Sequence, residues 1–331
     1  MAGNQPTIEQ LRALAAFAET GGVRAAARLL RTSQSVVTRK LNAFRKSARN
    51  NAILLTDNGR SPELTDAGRA ILPAIRDLVR QYDQLMDCLN GRADAAQRVR
   101  IAAGHFSSQF YLPDVFDKAL CESVQVEVCV VRGRDRILGV ADGRYDIGVL
   151  SHVAVDIAKS LQSVGKSVES IVIEPLQMPL MVVIAARKSP EGRDLQTLPR
   201  EKSVTLSWLH QWELLGLDGD SGIRRNLERK AAPGERISFL TEGGGWTVAR
   251  EFCRRGLGVA VLPLATLTSG DRKDFVIRRL SDKLNVRESV IFRRQPLSTG
   301  TQTVIDRLKD AVAKHHREVQ CRWDQYLAEK C

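Results

Sequence analysis

The residues best suited to chemistry lie in one polar, basic segment near the start of the chain. Residues 24–49 contain eight basic side chains, and no Asp or Glu stands between Thr20 and Thr56. Gln and Arg can read base edges, because they offer paired hydrogen bonds to adenine and guanine respectively. A cationic segment without compensating acids predicts contact with a polyanion, and the net charge of +12 agrees with that prediction.

Helical periodicity places this segment within three short helices. Thr7 and Gln10 have the spacing of a capping box at the start of the first helix, and Gly21 provides its end. A second helix is predicted over residues 23–30, where small alanines allow another helix to approach closely.

The third helix begins after a tight turn at residues 31–32, with Ser33 or Thr32 as its cap, and reaches about Phe44. Its apolar stripe consists of Val36 or Val37, Leu41 and Phe44. Its opposite face is polar and consists of Gln34, Ser35, Thr38 and Arg39. This pattern predicts a helix-turn-helix, and a three-helix bundle without a ligand is the alternative.

Signatures of enzymes and metal sites are absent from the sequence. There is no G-x-S-x-G or H-E-x-x-H, and residues 243–245 lack the Lys-Ser/Thr of a phosphate-binding loop. Residues 256–258 follow a predicted helix and precede a strand, the reverse of a dinucleotide fingerprint. The six cysteines form no C-x-x-C pair. We therefore expect no metal, no cofactor and no catalytic residues, although a Ser-His-Asp set assembled across the fold stays open.

Chain length and hydropathy favour a multidomain protein of the cytoplasm. A chain of 331 residues can hold two domains or three lobes, each with its own apolar core. No apolar run approaches the roughly 18 residues that cross a bilayer. The first six residues also lack the basic-then-apolar pattern of a secretory signal. We expect no membrane partner.

Three segments in order resemble the signature of LysR-type transcriptional regulators: AAARLL at 25–30, TSQSVVTR at 32–39 and LTDAG at 64–68. The resemblance implies a winged helix-turn-helix over residues 1–65, in which the segment from Ser33 opens the recognition helix. The DNA-binding residues that it implies are Ser33, Gln34, Ser35, Thr38, Arg39, Arg28 and, in the wing, Arg60.

A longer helix is predicted over residues 66–91, with Thr65 and Asp66 at its start and Pro73 near its beginning. Apolar residues recur along it at the spacing of a coiled coil. The stripe predicts a dimer interface at Ile75, Leu78, Tyr82, Leu85 and Leu89, together with Ile71. The resemblance assigns the matching helix to dimerisation, and packing on its own domain is the alternative.

Strand and helix patterns alternate through the remaining chain. The predicted strands are 99–103, 124–131, 146–150, 180–185, 203–206, 237–241, 258–262 and 286–292, and a long helix starts at Thr301. The alternation predicts mostly parallel sheets. The pieces GRYDI at 143–147 and RGLGVAVLP at 255–263 resemble the effector domain of the same family, which is built like a periplasmic solute-binding protein.

The expected fold is therefore α+β and multidomain: an all-α winged helix-turn-helix with a linker helix, then a two-lobed α/β domain over 92–331. Lobe I is expected at about 98–178 and 290–331, and lobe II at about 179–289. Ligands of such sheets bind beyond the carboxyl ends of strands. The effector residues predicted on this ground are Ser107, Ser108, His152, Ser207, Trp208, Thr241 and Glu242.

The function predicted is a sequence-specific transcription regulator whose promoter binding is modulated by a small-molecule effector. Expected partners are double-stranded promoter DNA, the effector, a second copy in a homodimer or dimer of dimers, and RNA polymerase. The alternative is a small-molecule carrier or an enzyme without a role on DNA.

Overall fold

The structure is a computed structural model, and it describes residues 5–47, 55–57, 62–89, 97–231, 237–243 and 245–328. The chain divides into two compact units: residues 1–97 with 141–144, and residues 98–140 with 145–331. Hydropathy along the described helices nowhere sustains a stretch that could span a bilayer.

The first unit begins with the predicted helices. Its described elements are α1 (Ile8–Thr20), α2 (Val23–Leu29), α3 (Gln34–Ser47), β1 (Leu55–Asp57), β2 (Pro62–Leu64) and α4 (Asp66–Leu89). The capping box forms as predicted, since the Thr7 hydroxyl accepts from the Gln10 amide and the Gln10 side chain accepts from the Thr7 amide. Gly21 ends α1 at a φ of 70°, a conformation that glycine adopts without strain.

Helix α3 is fixed by an apolar core that it shares with α1 and α2. Val37, Leu41 and Phe44 are all buried in this core, as the stripe predicted. Ala26 and Ala27 of α2 are buried beside them, and their small side chains let the helices pack closely. The burial sets the rotation of α3 about its axis and leaves its polar face toward solvent.

The turn between α2 and α3 is compact. Arg31 has a φ of 50°, in the left-handed region, and the Thr32 amide donates to the Ala27 carbonyl at 2.9 Å. Left-handed backbone is uncommon for residues other than glycine. The turn therefore brings α3 back across α2 within the four residues that separate the two helices.

A two-stranded wing and the long helix complete the unit. Strands β1 and β2 are antiparallel, with Leu55 opposite Leu64. The Thr65 hydroxyl accepts from the Gly68 amide at 3.1 Å and so caps α4. Pro73 lies inside α4, where it removes one helical hydrogen bond.

The second unit has two sheets. Its described strands are β3 (Gln97–Ala103), β4 (Val124–Val130), β5 (Ile147–Leu150), β6 (Ile171–Pro175), β7 (Met181–Ala186), β8 (Leu214–Leu215), β9 (Val259–Pro263), β10 (Phe275–Arg279) and β11 (Ser289–Arg293). Its helices are α5 (His105–Phe110), α6 (Leu112–Val115), α7 (Lys118–Ser123), α8 (Gly133–Ala141), α9 (Ala154–Gln162), α10 (Pro190–Thr197), α11 (Leu206–Leu209), α12 (Gly222–Lys230), α13 (Gly245–Arg254), α14 (Asp271–Asp274) and α15 (Thr299–Ala328).

Each sheet forms the centre of one lobe. In lobe I the strand order is β4-β3-β5-β11-β6, and in lobe II it is β10-β7-β9-β8. The prediction of mostly parallel sheets is wrong, because β11 is antiparallel to β5 and β6, and β7 is antiparallel to β9 and β10. The chain enters lobe II after β6 and returns through β11. Strands that lead out of and back into a lobe run in opposite directions, which explains the mixed sheets.

Two predicted strands are also wrong. Within residues 203–206 only Val204 forms a β-bridge, and α11 already begins at Leu206. Within residues 237–241 only Phe239 forms a bridge, to Leu214 of the two-residue strand β8. Both segments meet a sheet at a single position, so their apolar patterns reflect burial and not strand pairing.

Helix α15 joins the two lobes. Its first half packs on the core of lobe I through Val304, Leu308 and Val312. Its second half packs on a core of lobe II through Trp323 and Tyr326, whose rings lie 5.2 Å apart. One helix of 30 residues thus contributes to both cores.

We predict that Trp323→Ala destabilises the effector unit by about 3–5 kcal/mol, because it removes a side chain that is 3% exposed from the lobe II core. Denaturant unfolding followed by circular dichroism measures the change. Gln325→Ala, on the exposed side of the same helix, is the control and should have little effect. A loss below about 1 kcal/mol for Trp323→Ala would contradict the packing described for α15.

Candidate DNA interface and ligand cleft

The polar face of α3 is open to solvent. Five of the predicted residues at or near its start are exposed, namely Ser33, Gln34, Ser35, Thr38 and Arg39, and Arg28 on α2 is exposed as well. The Ser33 hydroxyl lies 3.4 Å from the Val36 amide and 2.9 Å from the Ser35 hydroxyl, so it caps the helix. Arg60 lies outside the described residues.

An ion-pair network positions α3 from its other side. Lys40 pairs with Glu9 of α1 at 2.7 Å, and Glu9 also accepts from Arg12 at 2.8 Å. Arg12 in turn pairs with Asp83 of α4. The hydrogen bond from Lys40 is the main cause that lowers the pKa of Glu9. The network links α3 to α1 and α4, and it engages Lys40 within the protein.

Most of the other basic side chains in this segment lack an acidic partner in the part of the chain that the structure describes. Among the described residues no carboxylate forms an ion pair with any of six basic side chains: Arg24, Arg28, Arg31, Arg39, Arg45 and Lys46. In the free protein such charges are balanced by counterions from solution. When a polyanion binds and counterions are released, that release contributes favourably to the free energy of binding. The surface thus has the electrostatic requirement for binding a phosphate backbone.

The predicted dimer stripe on α4 divides into two sides. Ile75 is 7% exposed and belongs to the helix-turn-helix core, while the Arg12 guanidinium covers the Tyr82 ring at 5.4 Å. The other side is exposed and consists of Ile71, Leu78, Leu85 and Leu89, at 39%, 51%, 55% and 70%. Ile75 is therefore withdrawn from the predicted interface, because its own domain already buries it.

Lobes I and II enclose a cleft of about 680 Å³. Lobe I contributes residues 104–107, 130–133 and 151–152, which follow the carboxyl ends of β3, β4 and β5. Lobe II contributes mainly residues 215–218, 220–223 and 245–247. A cleft at the ends of strands and between two lobes is the usual place for a small ligand.

Direct contacts join the lobes beside this cleft. Asp156 of lobe I pairs with Arg229 of lobe II at 2.6 Å. A Cβ on Gly222 would lie 1.5 Å from the Ser151 carbonyl oxygen, so only glycine permits this approach of the two backbones.

Two of the predicted effector residues line the cleft. Ser107 and His152 are 4% and 3% exposed and both belong to its wall. The Oγ atom of Ser108 is buried without a hydrogen-bond partner among the described residues, but Ser108 does not line the cleft.

The other four predicted effector residues lie away from the cleft wall. Trp208 packs in the lobe II core and donates to Asp194 at 2.6 Å, and Ser207 stands beside it on α11. The Thr241 hydroxyl accepts from the Gly216 amide, and Glu242 pairs with Arg224 at 2.7 Å. These positions were chosen from the two strands that do not form, and for that reason the prediction misplaced them.

Sequence reasoning missed the two charged groups that are most deeply placed in the cleft, Arg136 and Glu288. Glu288 is 4% exposed and accepts from the Tyr111 hydroxyl at 2.5 Å. Burial raises its pKa to about 7, against the opposing effects of Tyr111 and Arg136. One signal was present in the sequence, since Glu288 is an acid within a predicted apolar strand.

Arg136 of α8 is 9% exposed, and its Nη1 donates to the Val149 carbonyl at 2.5 Å. Burial lowers its pKa from the ordinary value. A Cβ on Gly104 would lie 3.1 Å from its Nη1, so glycine leaves room for the guanidinium at this position. The side chain stays charged at neutral pH.

His152 is held in its neutral form. Its Nε2 lies 3.1 Å from the Asp220 carbonyl oxygen, and its Nδ1 has no partner among the described residues. Burial, together with the charge of Arg136, lowers its pKa to about 4. Neutral imidazole with Nε2–H as the donor leaves Nδ1 as an unused acceptor.

No group of three or more His, Cys, Asp or Glu side chains among the described residues has the arrangement of a metal site. Cys121, Cys129, Cys253 and Cys321 are free thiols. Burial raises the pKa of Cys253 to about 12, which makes it unreactive at neutral pH.

A helix-turn-helix with an open basic face and a separate two-lobed ligand cleft define a ligand-responsive DNA-binding regulator. Residues 8–69 match the family model of the bacterial regulatory helix-turn-helix protein, lysR family, and residues 92–313 match the LysR substrate binding domain. The chain belongs to the LysR family of transcriptional regulators. It is a regulator and not an enzyme.

Relatives and solved structures of similar extent agree with this assignment. The chain is 25% identical over 304 residues to a probable nitrogen assimilation transcriptional activator of Synechococcus elongatus, covering 88% of this chain and 90% of the relative. ArgP from Mycobacterium tuberculosis has a TM-score of 0.63 at 19% identity, over 92% and 96% of the two chains. CbnR complexed with its target DNA has a TM-score of 0.54 at 19% identity, over 92% and 99%. At these identities the two structures establish the fold.

We predict that the free energy of unfolding decreases in mild acid because His152 is buried in its neutral form. Because its folded-state pKa of about 4 lies below the ordinary 6.5, the unfolded chain binds a proton between these pH values that the folded chain excludes. The contribution of His152 to the free energy of unfolding is complete above pH 6.5 and decreases as the pH falls toward 4. Between pH 7.5 and 5, denaturant unfolding should show a loss about 2 kcal/mol larger for the wild type than for His152→Gln. His105→Gln, at an exposed histidine, is the control. Equal pH dependence of the wild type and His152→Gln would refute a neutral, buried His152.

Proposed function

We propose that this regulator reads operator DNA with Gln34, Ser35, Thr38 and Arg39 in the major groove, and that a ligand in the interlobe cleft modulates that binding. The observation that supports this most directly is the geometry of α3. Burial of its apolar stripe leaves its polar face exposed, and among the residues that the structure describes no acid forms an ion pair with Arg39. A helix with one side locked in a core and the other open can enter a groove as a rigid body.

The residue types on α3 suit direct readout. Gln34 can bond to the N6 and N7 of adenine, and Arg39 to the O6 and N7 of guanine. Ser35 and Thr38 are short, so they let the helix approach the bases closely.

Phosphate contacts are proposed to fix the position of the helix on the duplex. Arg28 stands exposed on the neighbouring helix, and Arg60 belongs to the segment between the wing strands. Ser33 caps α3, whose amino end carries positive partial charge and favours a phosphate oxygen.

The exposed side of α4 is proposed to pair with a second copy. Ile71, Leu78 and Leu85 are spaced by seven residues and stand open to solvent. A row of this kind loses water contact when two such helices pack together. Twofold pairing, in a homodimer or a dimer of dimers, presents two recognition helices to successive major grooves.

The cleft is proposed to hold the effector, with Ser107 and His152 in its wall. A ligand that binds one arrangement of the lobes better than another shifts the population toward that arrangement. Because the lobes meet beside the cleft through Asp156 and Arg229, ligand contacts are well placed to change their relative position.

The cellular setting follows from this role. We place the protein in the cytoplasm with the promoter DNA that it binds. Relatives named as transcriptional activators support RNA polymerase as a further partner.

We predict that Arg39→Ala lowers affinity for the preferred operator by about 1–3 kcal/mol and relaxes base preference at one position, because a bidentate contact is lost. Gel shifts with the operator and single-base variants measure both effects. Arg193→Ala, an exposed arginine in lobe II, is the control for the lost charge. Retention of wild-type specificity by Arg39→Ala would show that this face of α3 does not meet the bases.

We predict that Leu78→Glu converts the oligomer to monomers, because the paired helices would bury two like charges. Analytical ultracentrifugation of the full-length protein gives the mass. Leu29→Glu is a matched control, since Leu29 and Leu78 are both 51% exposed and only Leu78 lies on α4. An unchanged oligomer for Leu78→Glu would exclude this side of α4 as the interface.

A further inference from the structure

The charged side chains of the cleft do not all neutralise one another. Five line its wall, namely Arg132, Arg136, Asp218, Asp220 and Glu288. Asp218 lies 4.0 Å from Arg132, and Asp220 pairs with Arg225 at 2.7 Å. Asp220 also accepts from the Arg134 amide at 3.1 Å. Arg136 and Glu288 have no ion-pair partner among the described residues.

Arg136 has hydrogen-bonding capacity that the protein leaves unused. Among the described residues no carboxylate forms an ion pair with it, and its side chain donates a hydrogen bond from Nη1 to the Val149 carbonyl. Its Nε is buried without a partner. Glu288, Asp220 and Asp218 act on its charge without forming an ion pair with it. A guanidinium that is nine-tenths buried and has no ion-pair partner is strongly stabilised by a carboxylate that reaches it.

Glu288 is the opposite case, a buried carboxyl group without a cationic partner among the described residues. Its carboxyl group accepts from Tyr111, and among the described residues no Lys or Arg forms an ion pair with it. Burial disfavours its charged form, as the raised pKa indicates. A cation brought next to it would offset that cost.

Arg136 and Glu288 interact electrostatically but do not form an ion pair with each other. Both line the same cleft, so a molecule that occupies it meets one unpaired positive and one unpaired negative group. Apolar surface is available next to them from Phe106, Ile223 and Trp246.

We infer that the effector is a small amino acid, whose carboxylate binds Arg136 and whose ammonium group binds Glu288. The inference rests on the proposed function, because it takes the cleft as the effector site. A simple carboxylic acid would satisfy Arg136 and leave Glu288 without a cation, and a simple amine would do the reverse. His152 Nδ1 and Ser107 provide additional polar atoms in the wall, and the apolar surface accommodates a side chain.

The inference is tested by titrating the full-length protein with the twenty common amino acids, β-alanine and 4-aminobutyrate, using thermal shift and then calorimetry. Each amino acid that binds is compared with the carboxylic acid of the same skeleton that lacks the amine, and with the amine that lacks the carboxylate. Both analogues should bind about 10- to 100-fold more weakly, because each loses a charge-assisted contact. This comparison uses the wild type and does not depend on any variant folding.

Two variants then locate the site. Glu288→Gln and Arg136→Gln should each weaken binding of the same amino acid by about 10- to 100-fold. The exposed residues Glu169 and Arg287 supply matched controls, Glu169→Gln and Arg287→Gln, which should bind as the wild type does. Equal binding of a free acid and its amino acid, binding unchanged in Glu288→Gln, or no binding by any compound of the panel would overturn the inference.

Gel shifts on the same proteins separate this inference from the proposed function. Without added ligand, the control variants Glu169→Gln and Arg287→Gln should bind operator DNA as the wild type does. If DNA binding is intact and the amino acids fail, the effector class alone is wrong. If the wild type shows no preference among duplexes, the proposed function itself is wrong.

Discussion

Burial of Val37, Leu41 and Phe44 against α1 and α2 determines which side of α3 meets solvent. Rotation of the helix would expose this apolar stripe and bury polar groups, so the interaction with DNA depends on an ordinary hydrophobic core. Lys40, paired with Glu9, adds a polar constraint to the same helix. The exposed face can then consist of residues selected for contact with bases, because the core alone keeps the helix in place.

The effector unit likewise contains charged residues that form ion pairs within the protein and charged residues that do not. Asp156 of lobe I pairs with Arg229 of lobe II and so joins the lobes, and Asp220 is neutralised by Arg225 within lobe II. Arg136 is buried without such compensation, at a cost in folding stability that a bound anion would offset. In both units, charged groups that have no ion-pair partner among the described residues are proposed to meet another molecule.

Local signals in the sequence predicted local structure well. The capping box from Thr7 to Gln10 spans four residues, and the stripe on α3 follows the helical period, so neither depends on distant parts of the chain. By contrast, strand pairing and the composition of the cleft depend on contacts between residues that are far apart in the sequence. Tyr111 and Glu288 are 177 residues apart in sequence and meet only in the folded effector unit. For the same reason, Ser207 and Trp208 were misplaced, because a short apolar run does not reveal whether a sheet partner will lie beside it.

Selection of preferred duplexes from a random pool by the full-length protein tests the central claim most directly, because it reports sequence preference and the pairing of recognition helices together. The account predicts enrichment of a site with approximate twofold symmetry, whose half-sites are centred about 10 base pairs, or a multiple of that distance, apart. A pool that shows no enrichment at physiological ionic strength, with or without amino acids, would contradict it.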